Sequence, residues 1–282
     1  MRPYLNVLQW LEALNVESYG IITERFMASL SEDYFFNYRG KKEFCWKSDS
    51  EHFAFLLFGR VFSTTFSIER LLPKSRLFDG PEWWDESTIC TLIRTIIDSY
   101  CALYYLAIDR NPKEERVERV DLWALHYRVS RMKIMKGDAE YGSKNLMGDR
   151  NCAERIRSAL KSNSFFRGYK HPQQEDFLKG KKAVFLGNSV ILKKAGVQVE
   201  SYEAFHTYLS NHVHSRFFFT QRSFFMERDK TKLARLTDSL MYATLFVAFA
   251  IRDFTNLFHV PIVDKRVSEI IAFHEEHEVA HK

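Results

Sequence analysis

Between Trp83 and Ala107 the apolar side chains Ile89, Leu92, Ile93, Ile96, Ile97, Tyr100, Leu103 and Tyr104 return at three- and four-residue steps. That spacing matches the 3.6-residue turn and places one continuous buried stripe on a helix. Pro81 and Asp85 mark the expected start, and Asp109 to Pro112 the expected end. The same periodicity recurs over roughly residues 3–30, 50–72, 115–136, 150–162, 201–216, 230–258 and 264–278. A chain so patterned is expected to be all-α, a helical bundle forming a single domain over 1–282. The break in the pattern is an irregular or hairpin excursion near 165–199, where Gly168, Pro172, Gly180, Gly187 and Gly196 interrupt it. Within it, KKAVFLGNSVILKK (181–194) sets two short apolar runs around Gly187-Asn188 and reads either as a hairpin or as two short helical turns. A second loop, Ser31–Ser48, carries Tyr34, Phe35, Phe36, Tyr38 and Trp46 and is expected to pack down on the bundle.

Composition narrows the class further. Of 282 residues, 46% are apolar and 27% charged, which supports a packed core and argues against disorder. The opening YLNVLQWLEAL keeps polar residues at intervals and does not read as a secretion signal. The most apolar late run, LMYATLFVAFAI (240–251), stops at Arg252-Asp253, short of the roughly twenty residues a membrane span needs. It reads as a core helix, and no membrane partner is expected. Cys45, Cys90, Cys101 and Cys152 have neither CxxC nor paired zinc spacing, so a reducing cytoplasm is the expected location. The net charge of +5 is mild and, read along the chain, dispersed; it permits nucleic-acid contact without demanding it.

The densest set of chemically capable residues is SYEAFHTYLSNHVHSRFFF (201–219). Two ligands for one ion need a spacing of three or four on a helix, whereas His206, His212 and His214 stand six, two and eight apart. Glu203 and His206 have the Glu-x-x-His spacing of di-iron bundles, but the only other match is Glu278 to His281 at the terminus. The terminal HEEHEVAH stripe reads as a solvated face. No metal and no cofactor is therefore expected. Ser210 and His214 are one turn apart, yet no GxSxG turn accompanies them, and phosphate-binding loops of the Walker or GxGxxG type are absent. Downstream, RFFFTQRSFFMERDKTK (216–232) interleaves Arg and Phe, residue types that hold phosphates and stack bases. Phe at this density more commonly forms core or interface, so the Phe-rich 217–225 stretch is a candidate homodimer or partner surface.

Arg and His separated by six residues occur twice, at Arg119 to His126 and at Arg252 to His259. Chance alone supplies as many matches in a chain of this composition. Arg119 and His126 at least fall two turns apart on one helix, so both should share a face.

Three stretches, TLIRTIIDSYCALYYLAI (91–108), LWALHYRVSRMKIM (122–135) and ILKKAGVQVESYEAFHTYLSNHVHS (191–215), together resemble a bacterial family catalogued as a helical domain of unknown function, similar in form to the HEPN class. That family carries Arg-x-x-x-Glu on its first helix, and an aromatic followed by Leu-Ser-x-x-x-His on its late helix. The matching positions are Arg94 with Asp98, and Leu209, Ser210 and His214. Asp98 stands where the family has Glu, and His206 where it has the aromatic. HEPN ribonucleases use an Arg-x(4–6)-His motif in which the two side chains meet near an RNA phosphate, so the resemblance implies a metal-independent ribonuclease or nucleotide-handling protein and, by analogy, a defence or stress role.

The residues point the same way on their own chemistry. Arg ahead of Asp is the weaker order for an intrahelical pair, so Arg94 and Asp98 are each expected to reach another helix. Arg94, Asp98, Ser210 and His214 are expected to meet inside the bundle, with His206 and His212 pointing elsewhere. Such a cluster either fixes helix register or joins an acid-base His214 to a phosphate-holding Arg94. The first option corresponds to a non-enzymatic interaction protein, the second to a protein acting on RNA or nucleotides.

Overall fold

Asp85 starts the helix that organises the molecule. In a computed structural model describing residues 2–31, 49–72, 85–135, 142–197, 199–213, 229–260, 269 and 272, its Oδ1 accepts a hydrogen bond from the Ser87 amide at 2.9 Å. Its Oδ2 accepts from Thr88 Oγ1 at 2.6 Å. This is the N-cap arrangement that satisfies otherwise orphaned first-turn donors. In chain order the α-helices among the described residues are α1 (Arg2–Ser31), α2 (Asp49–Leu71), α3 (Glu86–Leu103), α4 (Lys113–Ile134), α5 (Gly142–Ser162), α6 (His171–Leu178), α7 (Asn188–Lys194), α8 (Val199–Val213) and α9 (Asp229–Phe258). α3 runs on into a π-helical turn, Tyr104–Ile108, and Phe166–Gly168 forms a 3-10 turn. No strand occurs among the described residues, so the protein is all-α. Pro81, the 31–48 loop beyond Ser31, the Phe-rich 217–225 stretch, the helix expected at 264–278 apart from two positions, and the terminal histidines lie outside the described residues.

The chain divides into two compact units, one formed by residues 1–108 with 191–282 and the other by 109–190. In the first, α3 packs on α2, α8 and α9, while α1 packs on α2 and α9. The stripe read from spacing is the buried face of α3: Ile89, Ile93, Ile96, Ile97, Tyr100 and Leu103 are fully enclosed. They meet Phe58 and Val61 of α2 and Leu240, Phe246, Val247 and Phe254 of α9 in one apolar core. Phe58 stacks on Phe254 with ring centroids 4.1 Å apart. Tyr100 keeps its hydroxyl satisfied by donating to Asp253 Oδ2 at 2.9 Å, as burial of a phenol requires.

The late apolar run extends further than its twelve most apolar residues. Leu233–Phe258 and Glu86–Ile108 are each long and apolar enough to cross a membrane by length and composition, and 61% and 67% of their apolar windows are buried within the protein.

The second unit is built on α4 packed against α5. Leu122, Leu125 and Val129 of α4 face Ala153 and Leu160 of α5, and Phe166 and Phe177 close the core. The excursion expected near 165–199 is irregular at 181–187 and otherwise carries a 3-10 turn and two short helices, α6 and α7, with no hairpin among the described residues. Gly180 and Gly196 end helices, and Gly187 stands just before the start of α7. Gly180, at φ +67°, follows α6, where the Lys181 amide donates to Asp176 O at 3.1 Å and the Gly180 amide to Phe177 O at 2.8 Å. Gly196, at φ +88°, follows α7 with the Val197 amide donating to Leu192 O at 2.9 Å. These are Schellman closures, which need a left-handed residue. A Cβ at Gly180 would also come within 2.7 Å of Val129 Cγ2.

Candidate functional site

The residues matched to the late-helix and first-helix motifs meet where α8 packs on α3. Arg94 Nη1 donates to Ser210 Oγ at 2.7 Å. Arg94 Nε also lies 3.7 Å from Asp98 Oδ2, so the intrahelical pair forms despite its unfavourable order, while Arg94 also reaches Ser210 on α8. The pair is not inside the bundle: the Arg94 side chain is 24% and the Asp98 side chain 48% exposed. Ser210 spends its proton on His206 O, one turn back, at 2.7 Å, and accepts from Arg94 with its lone pair. A hydroxyl so committed is an anchor for Arg94 and not a nucleophile. His214, expected in this cluster, lies outside the described residues.

His206, expected to point away, instead shares the field of this pair. Burial first, and the Arg94 charge second, push its pKa below the ordinary imidazole value, with Asp98 opposing. The ring is thus neutral near pH 7 and able to take a proton. The signal is present in the sequence, since His206 and Ser210 are four apart and share a helix face.

A second cluster, about two turns toward the start of α3, is not legible in the sequence. Glu86 is buried and held by three donors: Tyr208 Oη to Oε1 at 2.6 Å, Arg235 Nε to Oε1 at 3.0 Å and Arg235 Nη2 to Oε2 at 3.0 Å. The two-pronged guanidinium contact is the geometry Arg offers a carboxylate. Burial alone would raise the Glu86 pKa, but the bonds from Arg235 and Tyr208 outweigh it and hold the carboxyl below its usual range. Ser87 Oγ lies 3.0 Å from His212 Nδ1, and the Tyr208 and His212 rings meet edge-on at 4.8 Å. Burial depresses the His212 pKa. Cys90 lies beside this group with its thiol pushed up to about 12 by burial, which removes it as a nucleophile. The cluster ties α3, α8 and α9 together, with the Glu86 carboxylate satisfied by Tyr208 and Arg235.

The second unit holds the remaining candidates, Arg119 and His126. Arg119 is 1% exposed, with Nη1 on Asp109 Oδ2 at 2.9 Å and Nη2 and Nε on Glu115 Oε1 at 2.5 and 3.1 Å. Its guanidinium lies 5.4 Å from the Phe185 ring centre. A phosphate could reach it only by displacing both carboxylates. Half-buried His126 sets Nδ1 2.9 Å from Gly180 O, bracing the end of α6. In the other spacing match, Arg252 Nε donates to its neighbour Asp253 at 2.9 Å, and His259 is exposed past the end of α9. Neither spacing match brings its Arg and His together as a phosphate site. Among the described residues no three His, Cys, Asp or Glu side chains gather in a way that could hold a metal ion.

Fold and site together define the class: an all-α protein whose polar groups line the packing of a late helix on an early one, joined by an Arg to Ser contact. The chain belongs to the family of unknown function (DUF5677), whose model matches residues 51–231, from α2 to the first turn of α9. No curated protein and no solved structure matches it.

Proposed function

We propose that this is a HEPN-like bacterial protein that binds or acts on RNA or nucleotides, with Arg94 meeting phosphate. One observation carries the reading: the 2.7 Å bond from Arg94 to Ser210, which links the two motif helices while leaving the guanidinium part-exposed beside a neutral His206. Ser210 and Asp98 engage Nη1 and Nε and orient the group, and Arg offers further N–H donors to a phosphate oxygen. A neutral imidazole is the form that accepts a proton from a ribose hydroxyl attacking phosphorus. The role of His214 as acid or base extends the motif match, a cytoplasmic location follows from the cysteine spacing, and a defence role rests on the family resemblance alone.

The competing reading is a non-enzymatic interaction protein. It is favoured by the Glu86, Tyr208 and Arg235 network and by the enclosed Arg119, where polar groups are consumed by each other. The two readings separate in one experiment. Wild type, Arg94→Ala and His214→Ala, matched for thermal melting, are assayed for RNA binding and cleavage in the presence of chelator. The proposal expects cleavage in wild type and a loss of roughly 10²–10⁴-fold for the His variant, the usual size of an acid-base contribution. Folded wild type that neither binds nor cuts RNA leaves the interaction reading.

A further inference from the structure

The charge that looks dispersed along the chain is segregated between the two units. Residues 109–190 hold 18 Lys and Arg against 11 Asp and Glu, a net of +7, whereas the other 200 residues hold 23 against 25. Folding sharpens the contrast. Asp109 and Glu115 are spent on buried Arg119, and buried Asp149 pairs with Arg128 at 2.6 Å. Among the described residues of this unit, twelve Lys and Arg are exposed against Glu114, Glu154 and Glu175 alone.

The fold collects half of those cations at one end of the α4/α5 pair. Asn163, just past α5, donates through Nδ2 to Glu114 O at 2.9 Å and so binds the end of α5 to the start of α4. Its Oδ1 accepts from the Phe165 and Phe166 amides at 2.8 and 3.2 Å, fixing the turn that leads to α6. Gln174 Nε2 donates to Tyr169 O at 2.7 Å and holds that turn to α6. Exposed Arg110, Lys113 and Arg116 thereby share an end with exposed Lys161, Arg167 and Lys170, and Glu114 is the one exposed acid there among the described residues. None of the six forms an ion pair among the described residues. In contrast, Lys179 and Lys181 elsewhere in the unit are matched by Glu175 and Asp176 at 2.9 and 2.8 Å. Phe165, 36% exposed and edge-on to Tyr169 at 5.8 Å, lies between Lys161 and Arg167 in the chain, on the turn that Asn163 fixes.

We infer that this end of the 109–190 unit is the docking surface for the phosphate backbone of single-stranded RNA, with Phe165 offering a ring to an unpaired base. The inference rests on the proposed RNA function but uses none of the residues around Arg94. Unmatched cations and an exposed aromatic on one turn are the two elements of sequence-tolerant single-strand binding. Such binding releases counterions, so its affinity falls with salt at about 0.7 per phosphate contact on a log-log plot.

The test is fluorescence anisotropy of a labelled oligouridylate with the full chain over a salt series. Lys161→Gln/Arg167→Gln/Lys170→Gln should weaken binding at least about tenfold at low salt and reduce the slope by about 2, as three lost contacts require. Lys179→Gln/Lys181→Gln, which removes the same kind of charge from matched pairs, should change affinity less than about threefold. The single variants Lys161→Gln and Lys170→Gln, each lowering the slope by about 0.7, serve if the triple variant melts early. Equal affinity and slope in the triple variant overturn the surface. Equal losses in the triple and the control variants overturn it too, since net charge alone would then account for binding. So does binding to anionic lipid vesicles without binding to RNA. If the triple variant binds as wild type while Arg94→Ala abolishes cleavage, the surface fails and the RNA reading stands; if RNA is bound through the surface and never cut, the catalytic part of that reading fails alone.

Discussion

Glu86 shows what one buried carboxylate can demand of its neighbours. Removing its guanidinium partner leaves a charge enclosed with a single phenolic donor, and a broken buried pair typically costs about 3–5 kcal/mol. Arg235→Ala is therefore expected to lower stability by about that amount in denaturant titration, with Glu86→Gln costing less. Because the paired Glu86 carboxyl titrates below its ordinary range, its contribution is present at neutral pH and fades as pH falls through the folded value. Glu118 runs the other way. It is fully enclosed in the second unit, and burial pushes its pKa up to about 7, Tyr169 and Arg119 opposing and Glu115 and Asp121 assisting. The folded state then holds a proton the unfolded chain has released, so stability falls as pH rises from about 4.5 to about 7. Glu118→Gln is expected to flatten that slope and to raise stability at pH 8 by roughly 1–3 kcal/mol, read from melts across the pH range.

At the scale of elements, helix boundaries are set by local chemistry and can be read in advance. Asp85 caps α3, and the spacing from Ile89 to Leu103 selects its buried face before any neighbour is known. The excursion shows where local reading runs out. Gly187-Asn188 between apolar runs suits a hairpin, but Gly180 and Gly196 close helices, and no neighbouring strand exists among the described residues to pair with one. Gly180→Ala would combine a left-handed backbone with a Cβ 2.7 Å from Val129 Cγ2, and should destabilise the second unit by about 1–3 kcal/mol. Amide exchange in α4 to α6 should accelerate in that variant before exchange in α9 does, because α9 belongs to the other core. Asp85→Ala should cost about 1 kcal/mol through loss of the cap, detectable as a shift in the denaturant midpoint.

At the scale of the molecule, the sequence by itself determined the all-α class, most helix positions, the buried stripe of α3 and, through a family resemblance, Arg94, Asp98, Ser210 and His214 as a set to watch, of which the structure joins Arg94 to Ser210 and to Asp98. Each of these rests on interactions within a few residues or on a motif with its own spacing, so the information is local. Tertiary structure alone decided the rest. Arg235 reaches Glu86 across 149 positions of chain, and nothing at either end announces the other. Arg119 and His126 share a helix and the right spacing, yet only packing shows that Asp109 and Glu115 have already claimed the guanidinium. His206 shares a helix face with Ser210 in the sequence, but that this face meets Arg94 was decided only when α8 packed on α3. The same holds for charge: a total of +5 reads as mild along the chain, but the unit boundary sets off residues 109–190 as basic, and folding encloses Glu115, Glu118 and Asp149 while gathering unmatched cations at one end. Local propensity chooses helices, but which side chains remain available to a ligand depends on which partners the fold has already supplied.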